Sequence, residues 1–312
     1  MKGVDAYLKL FRWHNLLIIA ATQYLFRYAI ILPALAGAGV VPVLTHLEFL
    51  LLVVATMMIG AAGYAINDYF DLRIDRINKP GRIVLGKDLS RRHAIFSHSL
   101  LNVLAVGIGV FLSWRVGFWP LAVVFLAVPS LLWLYSIRYK RKFLVGNLLV
   151  AFLSAFVIGI VWVVEYRSLE GMAGLQAVSA LVGLFARVFA FFAFFTTLIR
   201  EVIKDVEDLK GDARAGCKTI PVILGVSATR KLLLVMIALL VVFVGYFQYL
   251  LFTTGWQLLM VYLLFLVQIP ALGLFIQGLR AISPPAFRRM QQLLKFVMLT
   301  GVLAMLLFPL YL

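Results

Sequence analysis

Asn67-Asp68-Tyr69-Phe70-Asp71-Leu72-Arg73-Ile74-Asp75-Arg76-Ile77-Asn78-Lys79-Pro80 follows, without a break, an apolar run from Leu47 to Ile66. A run of that length crosses a bilayer, which takes about 20 apolar residues. At about 100° per residue on a helix, Asn67, Asp68, Asp71 and Asp75 fall within an arc of roughly 100°. Three carboxylates therefore share one face at the membrane end of a helix. At about 4 Å and an effective dielectric near 20, each like-charge pair costs on the order of 4 kcal/mol. Such a face stays ionised only if something neutralises it, and a hard divalent cation with oxygen ligands is the simplest candidate.

A second stretch repeats the pattern. Glu201, Asp205, Asp208 and Asp212 follow the apolar run Ala173 to Ile199, and on a helix they fall within about 60°. Two acidic faces at corresponding ends of two spanning helices are expected to close on a shared metal cluster. The alternative, that both are solvated loop charges, does not account for a repeat in both spacing and placement.

Hydrophobic residues make up 64% of the 312 residues and charged residues 13%, which defines an all-α polytopic membrane protein. The single cysteine, Cys217, excludes an intramolecular disulfide. The first apolar run is too long for a cleaved signal peptide and is expected to remain as a span. Nine transmembrane helices are expected, at 14–36, 47–67, 94–114, 117–136, 144–165, 173–199, 231–252, 257–279 and 290–311. No linker divides residues 1–312, so one domain is expected. Spans two and six each end in an acidic motif, four spans apart, which suggests two parallel four-helix halves and a ninth helix.

The net charge of +16 does not indicate nucleic acid, because of how it is distributed. Seven basic residues, from Arg73 to Arg92, lie between spans two and three, and seven, from Arg200 to Lys231, follow span six. The opposite connections hold only Arg115 and Arg167. The positive-inside rule then places the N-terminus and both acidic motifs in the cytoplasm and Leu312 outside. In a bacterium the membrane would be the inner one. Arg27 and Arg187, both within spans, are read as snorkelling to the outer interface.

The cations beside the carboxylates indicate an anionic ligand as well as a metal. Arg73, Lys79, Arg82, Lys140, Lys142 and Lys204 can all face the cytoplasmic mouth; individually, each is equally well explained as a topology determinant near lipid headgroups. Carboxylates hold Mg²⁺, which prefers to be completed by substrate phosphates, and Arg or Lys takes the remaining phosphate oxygens. Behind the mouth, span six carries Phe185, Phe189, Phe191, Phe192, Phe194 and Phe195. Most are expected against lipid or neighbouring helices, and a minority along an apolar tunnel. A metal-bound diphosphate at an apolar cavity points to a prenyl diphosphate, whose departure leaves an allylic cation for a nucleophile to capture. His14, His46, His93 and His98 show no competing ligand spacing. A cation transporter is the different-class alternative, but transport sites lie nearer the midplane, on broken helices.

Asn67-Asp-x-x-Asp71-x-x-x-Asp75 resembles the first Asp-rich motif of the UbiA superfamily of intramembrane prenyltransferases, and Lys204-Asp205-x-x-Asp208-x-x-Gly211-Asp212 resembles the second. Tyr135-Ser136-x-x-Tyr139-Lys140 with Gly146-Asn147 is similar to the family's segment after the fourth helix. The resemblance covers nearly the whole chain. It implies a UbiA-like helical bundle with both motifs at the cytoplasmic mouth of a central cavity. It also implies Mg²⁺-dependent transfer of an isoprenoid from a prenyl diphosphate to a lipid-soluble acceptor. Carried over as the metal site are Asn67, Asp68, Asp71, Asp75, Asp205, Asp208 and Asp212, with Asp71, Asp75, Asp208 and Asp212 as its catalytic members. Lys140 and Lys142 are the implied diphosphate partners, and Arg82, Lys204 and Tyr135 are further candidates for that role. The stretch from Arg200 to Pro221 most resembles the geranylgeranylglycerol-phosphate geranylgeranyltransferase branch. An aromatic acceptor of quinone, tocopherol or chlorophyll type is the alternative. After Pro80 the chain departs from the family pattern, reading Gly81-Arg82-Ile83-Val84-Leu85-Gly86.

Overall fold

The computed structural model describes residues 2–78, 81, 83–170 and 175–312, and among these the chain is helical without a β-strand. Among the described residues nine helices are long and apolar enough to span a membrane: Trp13–Gly37, His46–Asn78, Arg91–Val116, Pro120–Ile137, Val145–Ser168, Gln176–Arg214, Ile220–Thr253, Gln257–Arg280 and Pro284–Leu310. A short amphipathic helix, Lys2–Leu10, precedes them. The expected start of span six at residue 173 lies outside the described residues.

Two spans run well past the bilayer. The second has 33 residues and the sixth 39, about 50 and 58 Å at 1.5 Å per residue, against a hydrocarbon core of about 30 Å. No proline lies between Asn67 and Asn78 or between Glu201 and Asp212, so both motifs continue their helices. The expected long connection over 200–230 is corrected accordingly. The sixth span persists to Arg214, and Gly216, at φ 69°, follows its end. The seventh begins at Ile220, with Thr219 extended before it and Pro221 in its first turn, and breaks once at Gly225, φ 77°. In the first and eighth spans a π-helical turn, Phe26–Ile31 and Leu264–Gln268, precedes a proline, Pro33 and Pro270. Proline donates no N–H, so the regular ladder is already interrupted where the wider turn sits.

The chain forms two compact units, divided mainly between the fourth and fifth spans. One holds the residues up to Gln23 and Pro42–Lys142; the other holds Tyr24–Val41 and Phe143–Leu312. In the first unit, the second, third and fourth spans pack on one another. The amphipathic helix buries Ala6 and Leu10 against Ala65, Val84, Leu85, Leu89 and Ala94. This accounts for the apolar departure after Pro80: Val84 and Leu85 fill a small core, and Gly86, at φ 84°, turns the chain back so that its N–H reaches Leu89 O at 2.7 Å.

In the second unit, the sixth span packs against the fifth, seventh and ninth. Phe189 and Phe192 line a small apolar cavity with Phe243, Phe247 and Phe308, while Phe191 is exposed. Gly301 is required there, because a Cβ would lie 2.3 Å from the Phe192 ring.

Arg27 does not snorkel. It is wholly buried, and its Nε donates to Glu165 Oε1 at 2.8 Å, a carboxylate equally buried. A charge in the apolar interior is kept only with a partner, and the π-turn carries the guanidinium to one. Arg187 is exposed. Removing one partner, in Glu165→Leu or Arg27→Met, is expected to cost about 3–5 kcal/mol, and combining the two to restore much of it. Thermal unfolding in detergent checks this; a double variant as unstable as the sum of the singles would contradict it.

Candidate active site

In the first unit, the acidic face of the second span meets cations delivered by its neighbours. Lys140 lies in a one-turn 3₁₀ helix, Tyr139–Arg141, beyond the fourth span. Its Nζ donates to Asn67 Oδ1 at 3.3 Å and to Asp71 Oδ1. Two oxygen donors of the motif thus converge on one cation. Asp68 accepts from Arg12 Nη2 at 2.7 Å. The Arg12 guanidinium also lies 4.7 Å from the centre of the Tyr64 ring, whose hydroxyl accepts from Asn15 Nδ2 at 3.2 Å. Burial works against the Arg12 charge, but Asp68, Tyr64 and Asp75 outweigh it and hold its pKa above the usual value. Asp75 is half-buried one turn beyond Asp71.

In the second unit, Asn147 plays the corresponding part. Leu144, in the left-handed region at φ 59°, turns the chain into the fifth span. Asn147, buried in that span's first turn, donates from Nδ2 to Asp205 Oδ2 at 2.9 Å. Asp208 and Asp212 are half-buried on the same helix. Glu201 is buried and held by Arg200 at 2.7 Å, with Lys204 3.8 Å from its second oxygen. Arg288, from the ninth span, lies 3.9 Å from Glu207.

Of the expected diphosphate partners, Lys140 is in contact with the motif, whereas Lys142 is exposed with its ammonium 5.5 Å from the Tyr139 ring centre. Tyr135 is half-buried near the end of the fourth span. Lys204 sits beside Glu201, and Arg82 lies outside the described residues. Arg12 and Asn147 are direct partners of the motifs that were not among the expected site residues.

The family model for the UbiA prenyltransferase family matches residues 28–296. The chain belongs to the UbiA prenyltransferase family. Within it, the chain is 31% identical over 207 residues to the digeranylgeranylglyceryl phosphate synthase of Methanospirillum hungatei, 66% of each protein. It is 31% identical to that of Sulfurisphaera tokodaii, over 78% of this chain and 80% of the relative. The match to the Methanosarcina mazei protein is 28% identical over 97% and 98%. The aligned stretch spans just under two thirds of the first of these relatives. Among solved structures, one concerning digeranylgeranylglyceryl phosphate synthase in membranes superposes over the full length of both chains, with a TM-score of 0.65 at 20% identity. A UbiA homologue from Archaeoglobus fulgidus bound to DMAPP and Mg²⁺ superposes at 0.52 and 18% identity, over 96% of this chain and 98% of that one. These likenesses establish the UbiA fold.

The donor chemistry of the first motif suits a hard divalent cation. Asn67 and Asp71 offer oxygen, the ligand Mg²⁺ prefers, and the Lys140 ammonium marks a point that both reach. Among the described residues no three His, Cys, Asp or Glu side chains gather closely enough to hold a metal by themselves. Mg²⁺ characteristically completes its octahedron with water and substrate phosphate.

Proposed function

We propose that this UbiA-family enzyme transfers a prenyl group from a prenyl diphosphate to a lipid-soluble acceptor, with a geranylgeranylglyceryl phosphate as the acceptor. The observation that carries the reading is the convergence of Asn67 and Asp71 on a single cationic point in a chain of this family. The acceptor rests on relatives named digeranylgeranylglyceryl phosphate synthase, and the prenyl diphosphate on the homologue bound to DMAPP and Mg²⁺.

Residues 1–312 then act as one catalytic chain, in which both acidic motifs serve one reaction. Asn67, Asp71 and Asp75 in the first motif, and Asp205, Asp208 and Asp212 in the second, are the candidates for holding metal and diphosphate. Bound Mg²⁺ supplies neutralisation of the charge that develops on the departing diphosphate. Lys140, which Asn67 and Asp71 hold at the motif, would pair with the diphosphate oxygens, a flexible ammonium acting as a point charge. The bond from the allylic carbon to the diphosphate oxygen breaks with its electron pair going to the diphosphate. The acceptor hydroxyl then bonds to that carbon, and its proton passes to the released diphosphate. Apolar helices keep water from competing for the cation.

Product mass spectrometry with several prenyl diphosphates, against a panel of glycerol-phosphate and phenolic acceptors, tests the reading. The expected result is a prenyl ether of the glyceryl phosphate, formed with Mg²⁺ or Mn²⁺ and abolished by chelation. Prenylated phenols alone would reassign the acceptor, and full activity in verified metal-free buffer would overturn the mechanism.

We also propose that residues 67–92 and 200–230 face the cytoplasm and that Leu312 lies outside, supported by the asymmetry of basic residues. Cys217 is buried, so its silence to a thiol reagent would not report sidedness. In a Cys217→Ser background, Thr254→Cys is expected to react with a membrane-impermeant reagent on intact cells and the exposed Lys218→Cys to be spared. The reverse pattern would invert the topology.

A further inference from the structure

Arg12 and Leu144 are the two non-glycine residues with positive φ among the described residues, at 51° and 59°. A side chain in this region costs on the order of 1 kcal/mol or more and persists where the surroundings over-determine it, often at functional sites. Each stands where the chain turns into a span that reaches an acidic motif. Leu144 precedes Asn147, which donates to Asp205; Arg12 is itself the donor to Asp68.

The two cations on the first motif are held differently. Lys140 is a compact charge on a flexible stem, with Asn67 and Asp71 as its partners, and an incoming ion can replace it. Arg12 is fixed from two sides: Asp68 accepts from one edge of the guanidinium, and the Tyr64 ring, itself tied to Asn15, packs on it. A planar guanidinium with a carboxylate partner and an aromatic neighbour is not readily exchanged. On the second span, Asp68 also lies at the edge of the acidic arc, about 100° from Asn67, with Asp71 and Asp75 between them.

We propose that Arg12 is a positioning residue of the first acidic motif: it keeps Asp68 as its own counter-ion, so that Asn67, Asp71 and Asp75 carry the metal. The assignment rests on reading that motif as a metal site. It removes Asp68 from the expected ligand set and gives it a structural task, tying the residue that enters the first span to the acidic face of the second. It also lowers the charge of that face by one before any metal arrives.

Mn²⁺ binding to the purified full-length protein, followed by electron paramagnetic resonance, separates the possibilities. Asp71→Asn is expected to weaken binding about tenfold or more, and Asp68→Asn to leave it within about threefold. Arg12→Gln frees the Asp68 carboxylate and removes a positive charge, so it is expected to tighten Mn²⁺ binding several-fold. The gain should vanish in Arg12→Gln/Asp68→Asn, whereas Arg12→Lys should stay near the parent. A residue that merely held the fold would weaken binding when lost. If Asp68→Asn loses as much affinity as Asp71→Asn, Asp68 is a ligand and the assignment of Arg12 is overturned, while the prenyl-transfer reading stands. If Asp71→Asn itself leaves Mn²⁺ binding unchanged, the metal-site reading fails and the Arg12 assignment fails with it. Should Arg12→Gln not fold, Asp68→Asn against Asp71→Asn still decides the assignment.

Discussion

Carboxylates crowded on one helix face, at the edge of a medium that cannot solvate them, need positive charge or a hydrogen-bond donor from elsewhere. Much of the chain's local structure answers that need. The second and sixth spans are longer than the bilayer, so their acidic ends project past it as helix. Neighbouring segments then turn sharply to supply partners: the left-handed Arg12, the 3₁₀ turn that carries Lys140, and the left-handed Leu144 before Asn147. A cation fits where Lys140 sits because the motif already gathers its oxygens around one.

The same electrostatic rule governs the apolar part of the second unit. Arg27 and Glu165 are buried together, and the wider π-turn of the first span brings the arginine to its partner. Around them the packing is aromatic and tight. Phe185 and Phe189 both meet Phe308, at ring-centre distances of 4.8 and 5.5 Å. Gly301 leaves the space that Phe192 fills. A buried pair of charges in such surroundings specifies which helices meet, where apolar side chains alone are permissive.

The spans were legible in the sequence because runs of 20 or more apolar residues have one physical reading, and observed ends fall mostly within a few residues of those expected. The exceptions are instructive. Charge marks the end of the membrane but not the end of a helix, so the helices run past the apolar runs through Asp75 and Asp212, as the one-face spacing of the carboxylates requires. The seventh span begins at Ile220, because Gly225 breaks the helix only locally. Within the site, Asn67, Asp71 and Lys140 came together as their motifs implied. Lys142 did not, since a residue one step past a 3₁₀ turn points elsewhere. Arg12 was missed because nothing in local spacing distinguishes a positioning arginine from a topology determinant, whereas Asn147 stood in the family-like segment but was given no role, its partner Asp205 lying 58 positions away. Arg27 was misread for a related reason. Its partner is 138 positions away, and pairing across such a distance is invisible to periodicity.

The central claim is that the two acidic helices serve one reaction, and a double-mutant cycle tests it most directly. Steady-state kcat/KM would be measured for Asp71→Ala, Asp208→Ala and the double variant, with monodispersity in detergent as the folding control. If the carboxylates act as one unit, each single change loses most of the rate and the double is little worse, because groups acting together are strongly non-additive. Two modest losses that multiply in the double variant would show that the motifs work independently and would contradict the account.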